Sequence, residues 1–257
     1  MFRKTRNLVS GGRKPPERRS VADRMSGVLR PPLAGLALLL LSLGICAQDA
    51  EKKDDKDDKE EKFISGPQVD SPLPGPCEVF NINGPIGMGR YHCLVCEYSA
   101  DPVVMIFARE PAEGKDGPLN SLIQKLEEAI PKNDKSQLHA FVVFLSPGAR
   151  SSATEKKIED TDKLVEEAAA REALHARLKA RAKDLKSVVI ACTIPEGPKK
   201  YNINPRADVT VVFYKKLKVL DNYAFTEGKM SDDDAAMIVD KVEKTLRDAK
   251  KKPAKKS

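Results

Sequence analysis

Three short apolar runs, separated by segments with helical periodicity, place the strongest constraint on the fold of this chain. Their unbroken apolar character predicts strands that are covered on both faces of a sheet. Between them, residues 118–130 carry one apolar helical face that stops at Pro131, and residues 155–186 predict one long helix or two short ones. Strands that alternate with helices predict an α/β fold with a mainly parallel sheet. The three apolar runs are residues 102–108, 138–145 and 187–194.

The last part of the chain predicts a β-hairpin followed by a helix. Residues 209–214 and 217–223 are strand-like and flank Lys215-Lys216, where we expect the turn. Ser231 precedes three aspartates and then a segment with one apolar face, which is typical of an N-capped helix. The hairpin makes the predicted central sheet mixed.

This order of elements resembles the thioredoxin-like superfamily, in particular its redoxin branch. Residues 78–84, leading to the strand at 102–108, are similar to the redoxin N-terminal β-hairpin and first central strand. Residues 201–214 resemble its carboxy-terminal half, and together the likeness covers most of residues 63–247. The resemblance implies a mixed central sheet with flanking helices and an N-terminal β-hairpin.

The catalytic positions of that superfamily are not matched. Its cysteines follow the first central strand, where residues 109–114 here contain no cysteine. Its cis-proline corresponds to Ala207, with Pro205 two residues earlier, and the peroxiredoxin-type Thr-x-x-Cys is absent. The resemblance therefore implies that the standard site has been lost or relocated.

The amino-terminal residues have the features of an export signal. Residues 33–45 are an apolar run behind a basic region, too short for a comfortable membrane span. We expect cleavage near Ala47 and an exported, periplasmic or extracellular protein with no stable membrane span afterwards. Lipidation of Cys46 ranks lower, because Ile45 is larger than the residue that normally precedes a modified cysteine. Met25 begins a compact signal by itself and is a candidate start of translation.

The charge distribution excludes nucleic acid as the expected partner. Residues 1–30 hold nine Lys/Arg and two acidic residues, a surplus equal to the whole net charge of +7. We expect residues 1–47 to be the extension and signal peptide, 48–62 a charged disordered linker, and 63–249 the thioredoxin-like domain. Residues 250–257 then form a lysine-rich disordered tail.

Cys93 and Cys96 are the one pair of cysteines with local chemistry. In an extended strand, residues three apart lie roughly 10 Å from one another, whereas a disulfide needs Cα atoms within about 7 Å. The pair can therefore bond only if residues 93–96 form a turn. Cys77 and Cys192 complete the set that remains after removal of the signal, and Cys192 lies inside an apolar strand, where we expect an inert buried thiol.

Three hypotheses for this pair stay open, and with them the question of whether the protein is an enzyme. The first is thiol–disulfide exchange with exported protein thiols, using Cys93 as the attacking thiol and Cys96 as the resolving thiol. The second is a non-catalytic binding or structural module with a structural cysteine pair. The third is copper or zinc binding through His92, Cys93 and Cys96, with Cys77 as a further ligand. No other cofactor is expected.

Other polar residues predict structural roles. His139 lies in a strand and His175 in a charged helix, so we expect neither to be catalytic. Arg109-Glu110 follows the first central strand, where α/β proteins place their sites, although an ordinary solvated loop is the favoured interpretation.

Overall fold

A computed structural model describes residues 63–110, 117–151 and 161–251. The predicted export signal with Met25 and Cys46, the charged linker at 48–62 and most of the lysine-rich tail lie outside the described residues. Within the described ranges, no helix has the length and apolar character needed to cross a membrane.

The described part of the chain forms one mixed sheet of seven strands with four α-helices. The strands are β1 (Glu78–Asn81), β2 (Tyr91–Cys93), β3 (Val103–Arg109), β4 (His139–Leu145), β5 (Val188–Thr193), β6 (Ala207–Lys215) and β7 (Lys218–Thr226). The helices are α1 (Leu94–Tyr98), α2 (Pro118–Lys132), α3 (Thr161–Ala182) and α4 (Asp232–Lys251).

The strand order in the sheet is β2-β1-β5-β4-β3-β6-β7. The three strands predicted from the apolar runs, β3, β4 and β5, are parallel neighbours at its centre. The hairpin β6–β7 adds to β3 in the antiparallel sense, and β1 pairs antiparallel with both β5 and β2. The predicted α/β class, with a mixed central sheet and flanking helices, is confirmed.

Alternate residues of β3 contribute to two apolar clusters, one on each face of the sheet. The first cluster contains the apolar faces of α2, α3 and α4. The second is covered by α1, by the segment before β1 and by the loop between β5 and β6. These two segments contribute Leu73, Tyr201 and Ile203. Because β3 is buried from Val103 to Ala108, it cannot tolerate a polar side chain on either face.

The closing hairpin turns one residue later than predicted. Its turn residues are Lys216 and Leu217, because the pairing slips at a β-bulge. Phe213 faces Asp221 while Tyr214 faces Val219, so β7 carries one extra residue there. The pattern of apolar residues in the sequence does not reveal a bulge of this kind.

Helix α4 begins as predicted. The Ser231 hydroxyl accepts a hydrogen bond from the backbone N–H of Asp234 at 3.1 Å, and the backbone N–H of Ser231 donates to the Asp234 carboxylate at 2.9 Å. This reciprocal pair is a capping box with aspartate in the acidic position. Helix α2 differs slightly, because it continues through Pro131 to Lys132.

One carboxylate connects helix α2 to the start of β5. Glu127 accepts hydrogen bonds from the backbone N–H groups of Lys186, Ser187 and Val188, at 2.8 to 3.0 Å. Lys186 and Ser187 precede β5 and Val188 is its first residue, so the carboxylate supplies an acceptor to backbone N–H groups at the very start of the strand.

We predict that Glu127→Ala lowers the free energy of unfolding by about 1–3 kcal/mol, because three N–H groups lose their acceptor. Urea unfolding measures the difference. Glu128→Ala is the matched control, since its carboxylate is exposed and lies 3.7 Å from the Lys132 ammonium, and it changes stability by less than about 0.5 kcal/mol. Equal losses for both variants contradict this role of Glu127.

Candidate functional site

The two cysteines of the Cys-x-x-Cys segment form a disulfide at the beginning of α1. Cys93 is the last residue of β2 and the N-cap of the helix, and Cys96 lies in its first turn. Their Cα atoms are 5.2 Å apart, inside the range that a disulfide requires. The first turn of α1 therefore brings residues 93 and 96 close enough to form the bond.

The short helix α1 is held in place by its own apolar side chains and by an aromatic stack. Leu94 and Val95 are buried in the second cluster. The Tyr98 ring stacks on the His139 imidazole with centroids 4.2 Å apart, and His139 hydrogen-bonds to the Asp101 carboxylate at 3.3 Å. Burial, with a smaller effect of the Glu97 charge, raises the pKa of Tyr98 to about 12. These contacts hold α1, and with it the disulfide, in a defined position against the sheet.

The two sulfur atoms have different surroundings. Cys96 is exposed, whereas Cys93 is half-buried and packs against the second cluster. The Cys93 Sγ atom accepts a hydrogen bond from the backbone N–H of Cys96 at 3.1 Å. A donor at this position stabilises negative charge on the Cys93 sulfur. An incoming group reaches Cys96 more easily, and Cys93 is the better leaving group.

The residues proposed as metal ligands are not arranged as a binding site. The His92 Nε2 atom lies 3.2 Å from the Glu97 carboxylate, and the two cysteine sulfurs bond to each other. Among the residues that the structure describes, no group of three or more His, Cys, Asp or Glu side chains is placed to hold a metal ion.

Cys77 and Cys192 are free thiols with almost no exposed surface. Burial raises the pKa of the Cys77 thiol to about 12. Burial also raises the pKa of Cys192 to about 12, with a further contribution from the Glu110 charge. The prediction that Cys192 is a buried thiol in an apolar strand is confirmed.

The segment after β3, where the superfamily carries its cysteines, begins with a hydrogen-bonded network. Arg109 donates to the carbonyl oxygens of Pro195 at 2.7 Å and Ala207 at 3.3 Å. The Glu110 carboxylate accepts from the Ser146 hydroxyl at 2.9 Å and from Arg177 at 2.7 Å. The favoured interpretation of Arg109-Glu110 as a solvated loop is wrong for these two side chains, because their partners come from four separate segments of the chain.

The disulfide and this network lie at opposite ends of β3. Helix α1 leads into the amino end of the strand, and the backbone N–H of Lys216, next to that end, donates to the carbonyl of Ala100 at 2.9 Å. Arg109 closes the carboxyl end. The seven residues of β3 span roughly 20 Å, so Leu217, which lines a groove together with Cys96, lies far from Arg109. The described residues contain no cis peptide bond.

His175, like His139, contacts an aromatic ring. His175 stacks on Phe80 with centroids 4.2 Å apart. Burial lowers its pKa, with smaller effects of the Lys179 and Arg171 charges. The sequence places His175 in a charged helix and gives no sign of this stack, because Phe80 lies 95 residues away along the chain.

Comparison with known proteins gives similarity in fold only. No protein-family model matches the chain, and no curated protein is significantly similar in sequence. Similar solved structures include one assigned as the thiol:disulfide interchange protein DsbE from Chlorobium tepidum, at 14% identity and a TM-score of 0.41, which covers 70% of this chain and 99% of that chain. One assigned as a protein disulfide isomerase from Bacteroides thetaiotaomicron has 10% identity and a TM-score of 0.43, and covers 72% and 95%. Yeast Sco1 has 12% identity and a TM-score of 0.41, and covers 68% and 94%.

The described domain has an α/β fold with a mixed central sheet and flanking helices, as the thioredoxin-like resemblance implied. Its parallel centre β3-α2-β4-α3-β5, followed by the β6–β7 hairpin and α4, is the order of elements that the resemblance implied. At the identities given above, the solved structures carry no information on the activity of this chain.

We predict a wide separation of thiol reactivity in the reduced, folded protein. At pH 8 a thiol with a pKa near 12 is ionised in about one molecule in ten thousand, against about a quarter for an unperturbed cysteine. Cys77 and Cys192 therefore react with iodoacetamide at least about 100-fold more slowly than Cys93 and Cys96. Peptide mapping by mass spectrometry assigns each site, and denaturant is expected to abolish the difference. Rapid labelling of Cys77 or Cys192 in the folded protein contradicts this assignment.

Proposed function

We propose that the protein carries out thiol–disulfide exchange through the Cys93–Cys96 pair. The observation that carries the proposal is the asymmetry of the disulfide. Cys96 is exposed, while Cys93 is half-buried and accepts a backbone hydrogen bond. Reactive disulfides combine one accessible sulfur with a stabilised leaving group, and both features are present in this pair.

The exchange step follows from this asymmetry. A thiolate of a partner protein attacks the Cys96 sulfur, the Cys96–Cys93 bond breaks, and a partner–Cys96 mixed disulfide forms. Cys93 leaves as a thiolate beside the N–H group of Cys96. A second thiolate of the partner then attacks its own sulfur in the mixed disulfide and releases Cys96. The partner loses two electrons to form a disulfide, and the pair becomes a dithiol.

This sequence exchanges the roles predicted from the spacing alone. The sequence hypothesis used Cys93 as the attacking thiol and Cys96 as the resolving thiol, by analogy with a turn whose first cysteine is acidified. The exposure of Cys96 instead favours Cys96 as the sulfur that meets the partner, with Cys93 as the resolving thiol.

A second candidate is a non-catalytic binding or structural module. The network of Arg109 and Glu110 supports it, because the position of the family's usual site begins with side chains that are already hydrogen-bonded. In that case the Cys93–Cys96 disulfide is permanent. Metal binding by His92 and the reduced pair is a third candidate, and it requires the bond between the two sulfurs to be broken first.

We predict that the full chain, equilibrated in glutathione buffers of graded potential, interconverts between the Cys93–Cys96 disulfide and the dithiol within the range that exported proteins meet. Mass spectrometry of alkylated peptides measures the two forms. Cys93→Ser, incubated with a protein substrate that contains a disulfide, accumulates a mixed disulfide on Cys96. The Cys96 thiolate attacks one substrate sulfur and the other leaves as a thiolate, and the mixed disulfide persists because the resolving thiol is missing. Cys96→Ser accumulates at least about fivefold less, because Cys93 is half-buried.

One control completes this experiment. Cys46→Ser removes a thiol outside the pair and leaves both measurements unchanged. A pair that stays oxidised at every potential favours the structural module. A reduced pair that binds one equivalent of zinc or copper(I), lost in His92→Ala, favours the metal site. Trapping on Cys93 in place of Cys96 restores the original assignment of roles.

We also propose that the protein is exported, with residues 1–47 as the signal and 48–62 as the tether. The apolar run behind a basic region supports this, and a disulfide persists in oxidising compartments. We predict that the protein recovered from the cell envelope or medium begins at Gln48, as measured by intact mass. Changing Leu39 and Leu40 to Arg retains the full-length precursor in the cytoplasm. A full-length chain in the exported fraction contradicts the predicted cleavage.

A further inference from the structure

A small groove opens beside Cys96 at the amino end of β3. Its walls come from three parts of the chain: the segment before β1, helix α1 and the β6–β7 turn. Its volume is about 230 Å³, which is below the range of cofactor and small-molecule sites and equals the liquid volume of roughly seven or eight waters. The groove has the size for one or two side chains of a polypeptide. Its lining residues are Leu73, Gly75, Pro76, Val95, Cys96, Ser99 and Leu217.

The walls of the groove are fixed before any partner arrives. The Tyr201 hydroxyl donates to the carbonyl oxygen of Gly75 at 2.7 Å, and the backbone N–H of Leu73 donates to the carbonyl of Leu217 at 2.8 Å. The turn is held from its other side by the bond from Lys216 to Ala100 at 2.9 Å. A groove with fixed walls binds without the entropic cost of ordering them.

An exposed leucine in an unfavourable backbone conformation forms one lip. Lys216 and Leu217 have φ of 53° and 59°, so both lie in the left-handed region. A two-residue hairpin turn of this kind favours Asn-Gly, yet the chain places a leucine there and leaves it 44% exposed. Ser99, on the opposite wall, has φ of 47°. Residues held in such conformations cluster at ligand-binding sites. Both Ser99 and Leu217 line this groove.

The same turn is strongly basic. Lys215, Lys216 and Lys218 surround Leu217 in the sequence. Lys218 pairs with Asp70 at 2.8 Å, and Lys216 is exposed. A polypeptide bound at Leu217 would therefore contact positively charged lysine side chains next to the apolar groove. The complementary segment carries an apolar side chain next to an acidic one.

We propose that this groove docks an extended polypeptide segment in which a reactive cysteine has an aliphatic neighbour and an acidic residue close by. The aliphatic side chain enters the groove between Val95 and Leu217, and the acidic residue lies over the lysines of the turn. The thiol of the segment then meets the exposed Cys96 sulfur. This inference rests on the proposed exchange reaction and names its substrate class.

The test compares three thiols as reductants of the full-length oxidised protein: glutathione, a peptide containing Glu-Leu-Cys and a peptide containing Glu-Ser-Cys. We expect the leucine peptide to open the disulfide about tenfold faster than the serine peptide, because only leucine buries apolar surface in the groove. Mass spectrometry of quenched samples gives the rates. Replacing glutamate by lysine slows the leucine peptide several-fold at low salt, and 0.5 M NaCl is expected to remove that difference.

Leu217→Asn is the decisive variant, since asparagine suits the left-handed turn and removes the apolar lip. It is expected to reduce the preference for leucine over serine to less than about twofold. Met237→Gln is the matched control: Met237 is 43% exposed and lies in α4, away from the groove, and its variant retains the full preference. Thermal unfolding confirms that both variants are folded.

The outcomes separate the two proposals. Equal rates for the two peptides, while glutathione opens the disulfide, overturn the groove and leave the exchange reaction standing. A preference that survives in Leu217→Asn also overturns the groove. A disulfide that resists all three thiols overturns the exchange reaction, and the docking proposal fails with it.

Discussion

The structure depends on the burial of β3 on both of its faces. Every side chain from Val103 to Ala108 is excluded from water, alternately among the helices α2, α3 and α4 and among α1 and its neighbouring loops. Each face needs its own cover, so the strand fixes the positions of elements on opposite sides of the sheet. Helix α1 is five residues long, too short to be stable by itself, and it exists because Leu94 and Val95 complete the second cluster. The position of the disulfide is therefore a consequence of core packing.

This origin explains why the cysteine pair lies away from the carboxyl ends of the parallel strands. Ligands in α/β folds usually bind at those ends, where loops diverge and helices begin. Here the side chains that begin that region are Arg109 and Glu110, and both are engaged by neighbouring loops and by α3. At the amino end of β3 the chain instead brings together a short helix, a tight turn and the segment before β1. The resulting surface has an exposed sulfur and fixed walls, as exchange chemistry requires.

The sequence predicts the elements that are long and buried, and it misses those defined by only a few residues. The strands β3, β4 and β5 and the helix α2 appear within two residues of their expected positions, and α4 begins at its predicted cap, because continuous apolar runs and capping residues are local signals. Helix α1 has no periodicity to detect over five residues, and the bulge that moves the turn to Leu217 depends on pairing with β6. The site was predictable as a pair of cysteines. The asymmetry of the two sulfurs was not, since it depends on how Cys93 packs against residues distant in sequence.

The Cys93–Cys96 disulfide closes a ring of only four residues, and this limits its effect on folding. In the chain-entropy view, a loop this short restricts the unfolded chain by about 2 kcal/mol, against nearly 5 for a loop of 100 residues. Since Leu94 and Val95 are buried by packing whether or not the sulfurs are bonded, the reduced domain retains most of the cohesion of the oxidised one. Reduction of the bond is therefore expected to leave the domain folded.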